Sequence, residues 1–200
     1  MNFSTLQLNK LLFSNIEKQK LSVLTTVQEQ AIPAILAGED CLAIAPTGTG
    51  KTEAFAIPIV QHLLEKEQRE SASVLILLPT RELCIQTKDR IAKLIEGTGL
   101  NIASFYGGGT YESQLAAYPK AQLILATPGR LLDFLEQQLV DLKAINTLVI
   151  DEFDQLLDLG FALEINKIIQ ALPTERQSIF VSATRTAEMD KIIQKGSKIQ

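Results

Sequence analysis

Residues 41 to 64 decide the fold, and within them the stretch Ala45-Pro46-Thr47-Gly48-Thr49-Gly50-Lys51-Thr52. A short apolar run, Cys41 to Ala45, precedes it, and Phe55, Ile59, Leu63 and Leu64 follow at helical spacing. Strand, glycine-rich turn and helix in that order make a phosphate-binding loop. The glycines free the backbone so that successive N–H groups point at phosphate oxygens, and the helix adds the positive end of its dipole. Lys51 then reaches the β and γ phosphates, and the Thr52 hydroxyl sits on Mg²⁺. Ala45 stands where the general pattern has its first glycine, which asks only for an ordinary backbone conformation there. The implied ligand is a nucleoside triphosphate.

Outward from this loop, further aliphatic runs read as strands: Val74 to Leu78, Ile102 to Phe105, Leu123 to Ala126, Leu148 to Ile150 and Ile179 to Val181. Amphipathic stretches such as Leu83, Ile91, Leu94 and Ile95 lie between them. Strands that are apolar throughout are covered on both faces, so the fold class is α/β, a mainly parallel sheet with helices on both sides. Helices from Thr5 to Gln19 and from Val27 to Ala37 form an N-terminal extension, residues 1–40, joined to a nucleotide-binding body, residues 41–200, as one structural unit. Glu65 to Ser73 reads as a frayed helix end and a solvated loop.

Composition bounds the function. With 200 residues, 46% hydrophobic and 21% charged, the chain can bury one sizeable core. No apolar run approaches the ~20 residues of a membrane span. Met1 to Phe13 carries a single lysine and no secretory pattern. Cys41 and Cys84 have no CxxC partner and read as reduced thiols, which points to a cytoplasmic protein without a membrane partner. His62, the only histidine, excludes His-rich metal chemistry. The net charge of −4 speaks against non-specific coating of nucleic acid, yet leaves room for a narrow groove that holds phosphates through backbone amides.

A nucleotide-hydrolysing site needs an acidic partner at another strand end. Asp151 follows Thr147-Leu148-Val149-Ile150, and Glu152 comes next. The aspartate holds Mg²⁺, partly through water, and the glutamate orients or deprotonates the attacking water, so hydrolysis rather than mere binding is expected. Acids decorating a helix N-terminus are the alternative reading of this segment.

The sequence resembles the DEAD-box RNA helicases, specifically their first RecA-like domain, from Phe3 to about Lys195. Thr25-Thr26-Val27-Gln28 is similar to the family's Q motif, with Phe3 as its isolated upstream aromatic; Gly38 and Asp40 match the turn before the first strand. Pro79-Thr80-Arg81-Glu82-Leu83 resembles motif Ia, Gly107-Gly108 the glycine doublet and Thr127-Pro128-Gly129-Arg130 motif Ib. Asp151-Glu152-Phe153-Asp154 occupies motif II, and Ser182-Ala183-Thr184 motif III. The resemblance implies a RecA-like lobe of an ATP-dependent RNA helicase with ATP and Mg²⁺ as cofactors. It also implies RNA and a C-terminal RecA-like domain, which would lie beyond Gln200, as partners. Thr25, Gln28 and the 45–52 loop would bind ATP, with the Phe3 ring over adenine. A Gln amide offers the donor and acceptor that suit the adenine edge, so ATP is expected over GTP. Pro79, Thr80, Arg81, Gly107, Gly108 and Thr127 to Arg130 would hold the RNA backbone without reading sequence. Asp154 paired with the Ser182 and Thr184 hydroxyls would couple the two ligands.

The departures qualify this. Lys20, Leu21 and Leu24 replace the Gly, Phe and Pro usual in the Q motif, which implies a looser adenine site. Phe153 replaces the family's alanine and is expected to crowd the P-loop strand, at about 1–3 kcal/mol unless its neighbours are smaller. A transition-state arginine from a second domain is worth about 10³–10⁵ in rate, so these 200 residues alone are expected to bind ATP weakly, hydrolyse it poorly and leave duplexes intact. Two other readings stay open: a DNA helicase of the same superfamily, and a non-catalytic RNA- or partner-binding module.

Overall fold

The computed structural model describes residues 2–66, 71–197 and 199. Six strands are found among them: β1 (Cys41–Ile44), β2 (Val74–Leu77), β3 (Ile102–Phe105), β4 (Leu123–Ala126), β5 (Thr147–Ile150) and β6 (Gln177–Ser182). All pair in parallel, in the order β1-β6-β5-β2-β4-β3. Every expected strand is present, and the differences lie at the ends. Ala45 and Leu78 fall just outside β1 and β2, although their N–H groups still donate to the Ser182 and Ala126 carbonyls. Thr147, Gln177, Ser178 and Ser182 extend β5 and β6, because a parallel ladder accepts polar residues that an apolar pattern passes over.

The helices are α1 (Lys10–Lys18), α2 (Thr26–Leu36), α3 (Lys51–Glu65), α4 (Arg81–Leu94), α5 (Tyr111–Leu115), α6 (Pro128–Glu136), α7 (Phe153–Asp158), α8 (Ala162–Ala171) and α9 (Ala187–Gly196). The first expected helix is broken. A 3-10 turn covers Phe3–Thr5, and α1 starts only after Asn9, whose side chain accepts the Leu11 N–H and caps it. Lys20, in the place of the family's glycine, takes φ 58° just after α1, a left-handed turn that costs a side-chain residue about 1–2 kcal/mol. Of the expected loop Glu65 to Ser73, residues 67–70 lie outside the described residues.

Strand side chains alternate between two cores. Val74, Ile76, Leu123, Leu125, Val149 and Ile179 face one, with α1 to α4. Leu75, Leu77, Ile124, Leu148, Ile150 and Phe180 face the other, with α6 to α9. The N-terminal helices share the first core: Leu12, Ile16, Ile32 and Ile35 pack in it with Phe55 and Ile59. Because all strands run the same way, the six loops that follow them emerge at one edge. Those after β1, β6 and β5 form one half of that edge, and those after β2, β4 and β3 the other.

Candidate functional site

The first half carries buried charge. Gly48 (φ 80°) and Gly50 (φ 85°) bend the 45–52 loop into the N-terminus of α3. A Cβ at Gly50 would collide with the Gln28 amide, so this position needs glycine for space as well as for conformation. Thr49 Oγ1 donates to the Pro46 carbonyl at 2.7 Å and closes the turn. Lys51, only 5% exposed, stands with Nζ 3.4 Å from the Glu152 carboxylate. Asp151 is 4% exposed, and its Oδ1 accepts the Glu152 N–H at 2.9 Å. Burial, reinforced by the neighbouring Glu152 charge, pushes the Asp151 carboxyl up to about 7, against the opposing pull of that N–H, Lys51 and Arg90. Glu152 takes φ 48°, a left-handed conformation that caps α7. Such a conformation costs a non-glycine residue about 1–3 kcal/mol. Two carboxylates face one lysine, an excess of negative charge that suits a divalent cation, and the Thr52 hydroxyl lines the same cleft.

That cleft measures 550 Å³ and runs from the Q-motif loop across the P-loop to the acidic pair. Thr25, Gln28 and residues 47 to 52 line it. Ala45 and Pro46 line instead an adjoining groove of 610 Å³ beside β1, to which Thr25 and Thr49 also contribute. Phe3 is elsewhere: its ring is 2% exposed and packs in the core under the N-terminal helices. The ring implied to lie over the base is therefore not among the residues that line the cleft. Leu21 and Val23 supply the apolar lining next to Gln28. The Gln28 amide is engaged at both ends, accepting the Thr25 N–H and donating to the Gly50 carbonyl, each at 3.0 Å. It straps the start of α2 to the P-loop.

Behind the acidic pair, Asp154 Oδ2 accepts both the Thr184 N–H and its hydroxyl at 3.0 Å. The Ser182 hydroxyl accepts the Asp154 backbone N–H at 3.2 Å as well as interacting with the Asp154 carboxylate. Burial alone would raise the Asp154 carboxyl, but hydrogen bonds from Thr184, Ser182 and Gln155 outweigh it and hold the group below the usual carboxylate range. Phe153 does not crowd the P-loop strand. It is fully buried on the opposite face, stacked on Phe180 with centroids 5.7 Å apart.

In the second half the loops after β2, β3 and β4 meet through two arginines. Arg81 is exposed, lies 5.5 Å over the Tyr106 ring and passes so close to Gly108 that a Cβ there would approach its Nη1 to 2.7 Å. Arg130 is 13% exposed, donates to the Gly109 carbonyl at 3.2 Å and sits 4.8 Å over the Tyr111 ring. It joins two loops internally, although the resemblance implies that it holds the RNA backbone. The Thr80 hydroxyl accepts the Leu83 N–H and caps α4. Gly107 and Gly108 are exposed, Gly129 and Thr127 half-buried, and Pro128 is buried at the start of α6. Pro79 precedes that cap and is buried.

Sequence reading missed the α4 wall of the cleft. Leu83, Gln86, Thr87 and Arg90 all line it. Their spacing of three, four and seven residues from Leu83 puts them on one helical face, and Gln86, Thr87 and Arg90 are polar there. That stripe was the available signal.

A family model described as DEAD/DEAH box helicase matches residues 25–192. The chain belongs to that family. It is 38% identical over 195 residues to the DEAD-box ATP-dependent RNA helicase CshA of Streptococcus pneumoniae, covering 96% of this chain and 36% of that protein. The ATP-dependent RNA helicase SrmB of Escherichia coli is 39% identical over 185 residues, with 91% and 42% covered. The crystal structure of a DEAD box protein from Methanococcus jannaschii superposes with TM-score 0.94 at 34% identity, covering 99% of this chain and 54% of that one. This DEAD/DEAH box chain thus spans between about a third and about half of the relatives it matches. No helix among its described residues is long and apolar enough to cross a membrane.

Proposed function

We propose that this lobe binds ATP with Mg²⁺ in the 550 Å³ cleft and holds an RNA backbone across the loops after β2, β4 and β3. The observation that carries the reading is Lys51, a nearly buried cation at a helix N-terminus, held 3.4 Å from Glu152 and beside Asp151. Lys51 binds the β and γ phosphates, and Thr52 and Asp151 hold the metal. Bound Mg²⁺ supplies neutralisation of the phosphate charge. Releasing Glu152 from Lys51 leaves its carboxylate to orient the attacking water. Asp154, tied to Thr184 and Ser182 at the end of β6, links the acidic pair to the neighbouring strand. Arg81, Gly107, Gly108 and the N-terminus of α6 present donors that suit a sugar-phosphate chain and read no base. Coupled hydrolysis and duplex separation belong to this lobe acting with a second RecA-like lobe, and the chain's 200 residues supply one. Reading adenine requires the Gln28 amide to leave Thr25 or Gly50, so ATP over GTP selectivity reports on that strap.

Titration of ATP, ADP and GTP against the wild type and Lys51→Ala tests the reading. Removing one partner of a buried charge pair costs about 2–5 kcal/mol, so ATP affinity falls by at least about 30-fold in the variant. Unchanged affinity in Lys51→Ala would refute the ATP site and favour a non-catalytic module. Full-length protein whose ATPase responds equally to DNA and RNA would favour a DNA helicase.

A further inference from the structure

Arg90 projects from α4 into the same cleft, on the face it shares with Gln86 and Thr87. Its Nη1 lies 3.4 Å from Thr52 Oγ1 and 3.5 Å from Glu53 Oε1. Both contacts sit at the loose end of the hydrogen-bond range, and the side chain is 53% exposed. The guanidinium is therefore held at the metal-binding corner of the P-loop by weak partners, and its positive charge reaches Asp151. A phosphate chain entering along residues 47 to 52 would meet it. A guanidinium offers a fork of donors matched to two phosphate oxygens, a stronger pairing than the two long contacts it would give up.

We infer that Arg90 is a further nucleotide-contacting residue, a phosphate clamp supplied from within the lobe, which moves from Thr52 and Glu53 onto the triphosphate. This rests on the ATP reading of the cleft. A divalent cation near Thr52 carries the same sign of charge a few ångströms from the guanidinium and weakens its contribution. Arg90 therefore matters most when Mg²⁺ is absent. This separates it from Lys51, which contributes in both conditions.

The test is equilibrium titration of a fluorescent N-methylanthraniloyl-ATP against the wild type, Arg90→Ala and Lys51→Ala, in MgCl₂ and in EDTA, with adenosine as a phosphate-free competitor. Arg90→Ala is expected to weaken the probe about tenfold in EDTA and less than about threefold in MgCl₂, the scale of a charged hydrogen bond. Its adenosine affinity stays at the wild-type value. Equal probe affinity of wild type and Arg90→Ala in EDTA would overturn the inference alone, as would an equal loss for adenosine. No wild-type binding in either buffer would overturn the ATP reading and this inference together.

Discussion

The two halves of the sheet's loop edge handle charge in opposite ways. After β1, β6 and β5, the charged groups are withdrawn from water: Lys51 and Asp151 are at most 5% exposed, and Glu152 is held in a left-handed turn between them. After β2, β4 and β3, Gly107 and Gly108 are exposed, and Arg81 lies in solvent. Burying two adjacent carboxyl groups beside one buried lysine is costly, an arrangement that suits a polyanion bound together with a cation. The second half holds nothing comparable and suits an extended ligand that makes several weak backbone contacts. Arg130 is the exception within it, since its ring and carbonyl contacts make it part of the scaffold.

Substitutions in the two halves separate buried support from exposed contact. Phe153→Ala leaves a cavity against Phe180 directly behind the acidic pair, and aromatic truncation in a core costs about 3–5 kcal/mol. Urea unfolding should register that loss, and nucleotide affinity should fall with it if the buried half depends on a rigid support. A stability change below about 1 kcal/mol would mean that the stack contributes little. Arg130→Ala orphans the Gly109 carbonyl and removes a cation from the Tyr111 face, so a loss of about 2 kcal/mol is expected in the same measurement. Arg81→Ala should leave stability within about 0.5 kcal/mol, as exposed sites do, while lowering affinity for single-stranded RNA several-fold. Equal destabilisation by the two arginine substitutions would erase the distinction drawn between them.

Much of this arrangement was legible in the sequence because it rests on local rules. The glycine spacing around Lys51, the continuous apolar strands and the acid pair after Ile150 each specify their own neighbourhood. What escaped depended on packing between distant segments. Phe3 is implied by the resemblance to cover adenine, and its burial in the first core rests on packing against distant segments that one position in the sequence does not show. The position of Phe153 is plain from the sequence but its direction is not; the turn at Glu152 sends it to the face of the sheet opposite α3. Arg81 and Arg130 look alike as residues opening helices, and only the tertiary placement of Tyr111 and Gly109 buries one of them. Arg90 went unnoticed because a polar stripe on an amphipathic helix looks like a solvated face until the P-loop is seen beside it.

Backbone amide chemical-shift mapping distinguishes the two halves of the edge. ATP with Mg²⁺ and a short single-stranded RNA would each be titrated into the isotope-labelled chain. ATP shifts are expected to cluster in residues 47 to 52, 151 to 155 and the cleft face of α4. RNA shifts should cluster at residues 79 to 81, 106 to 110 and 127 to 130, with little overlap. Perturbation of a common set by both ligands, or RNA shifts centred on the P-loop, would contradict this division of the edge.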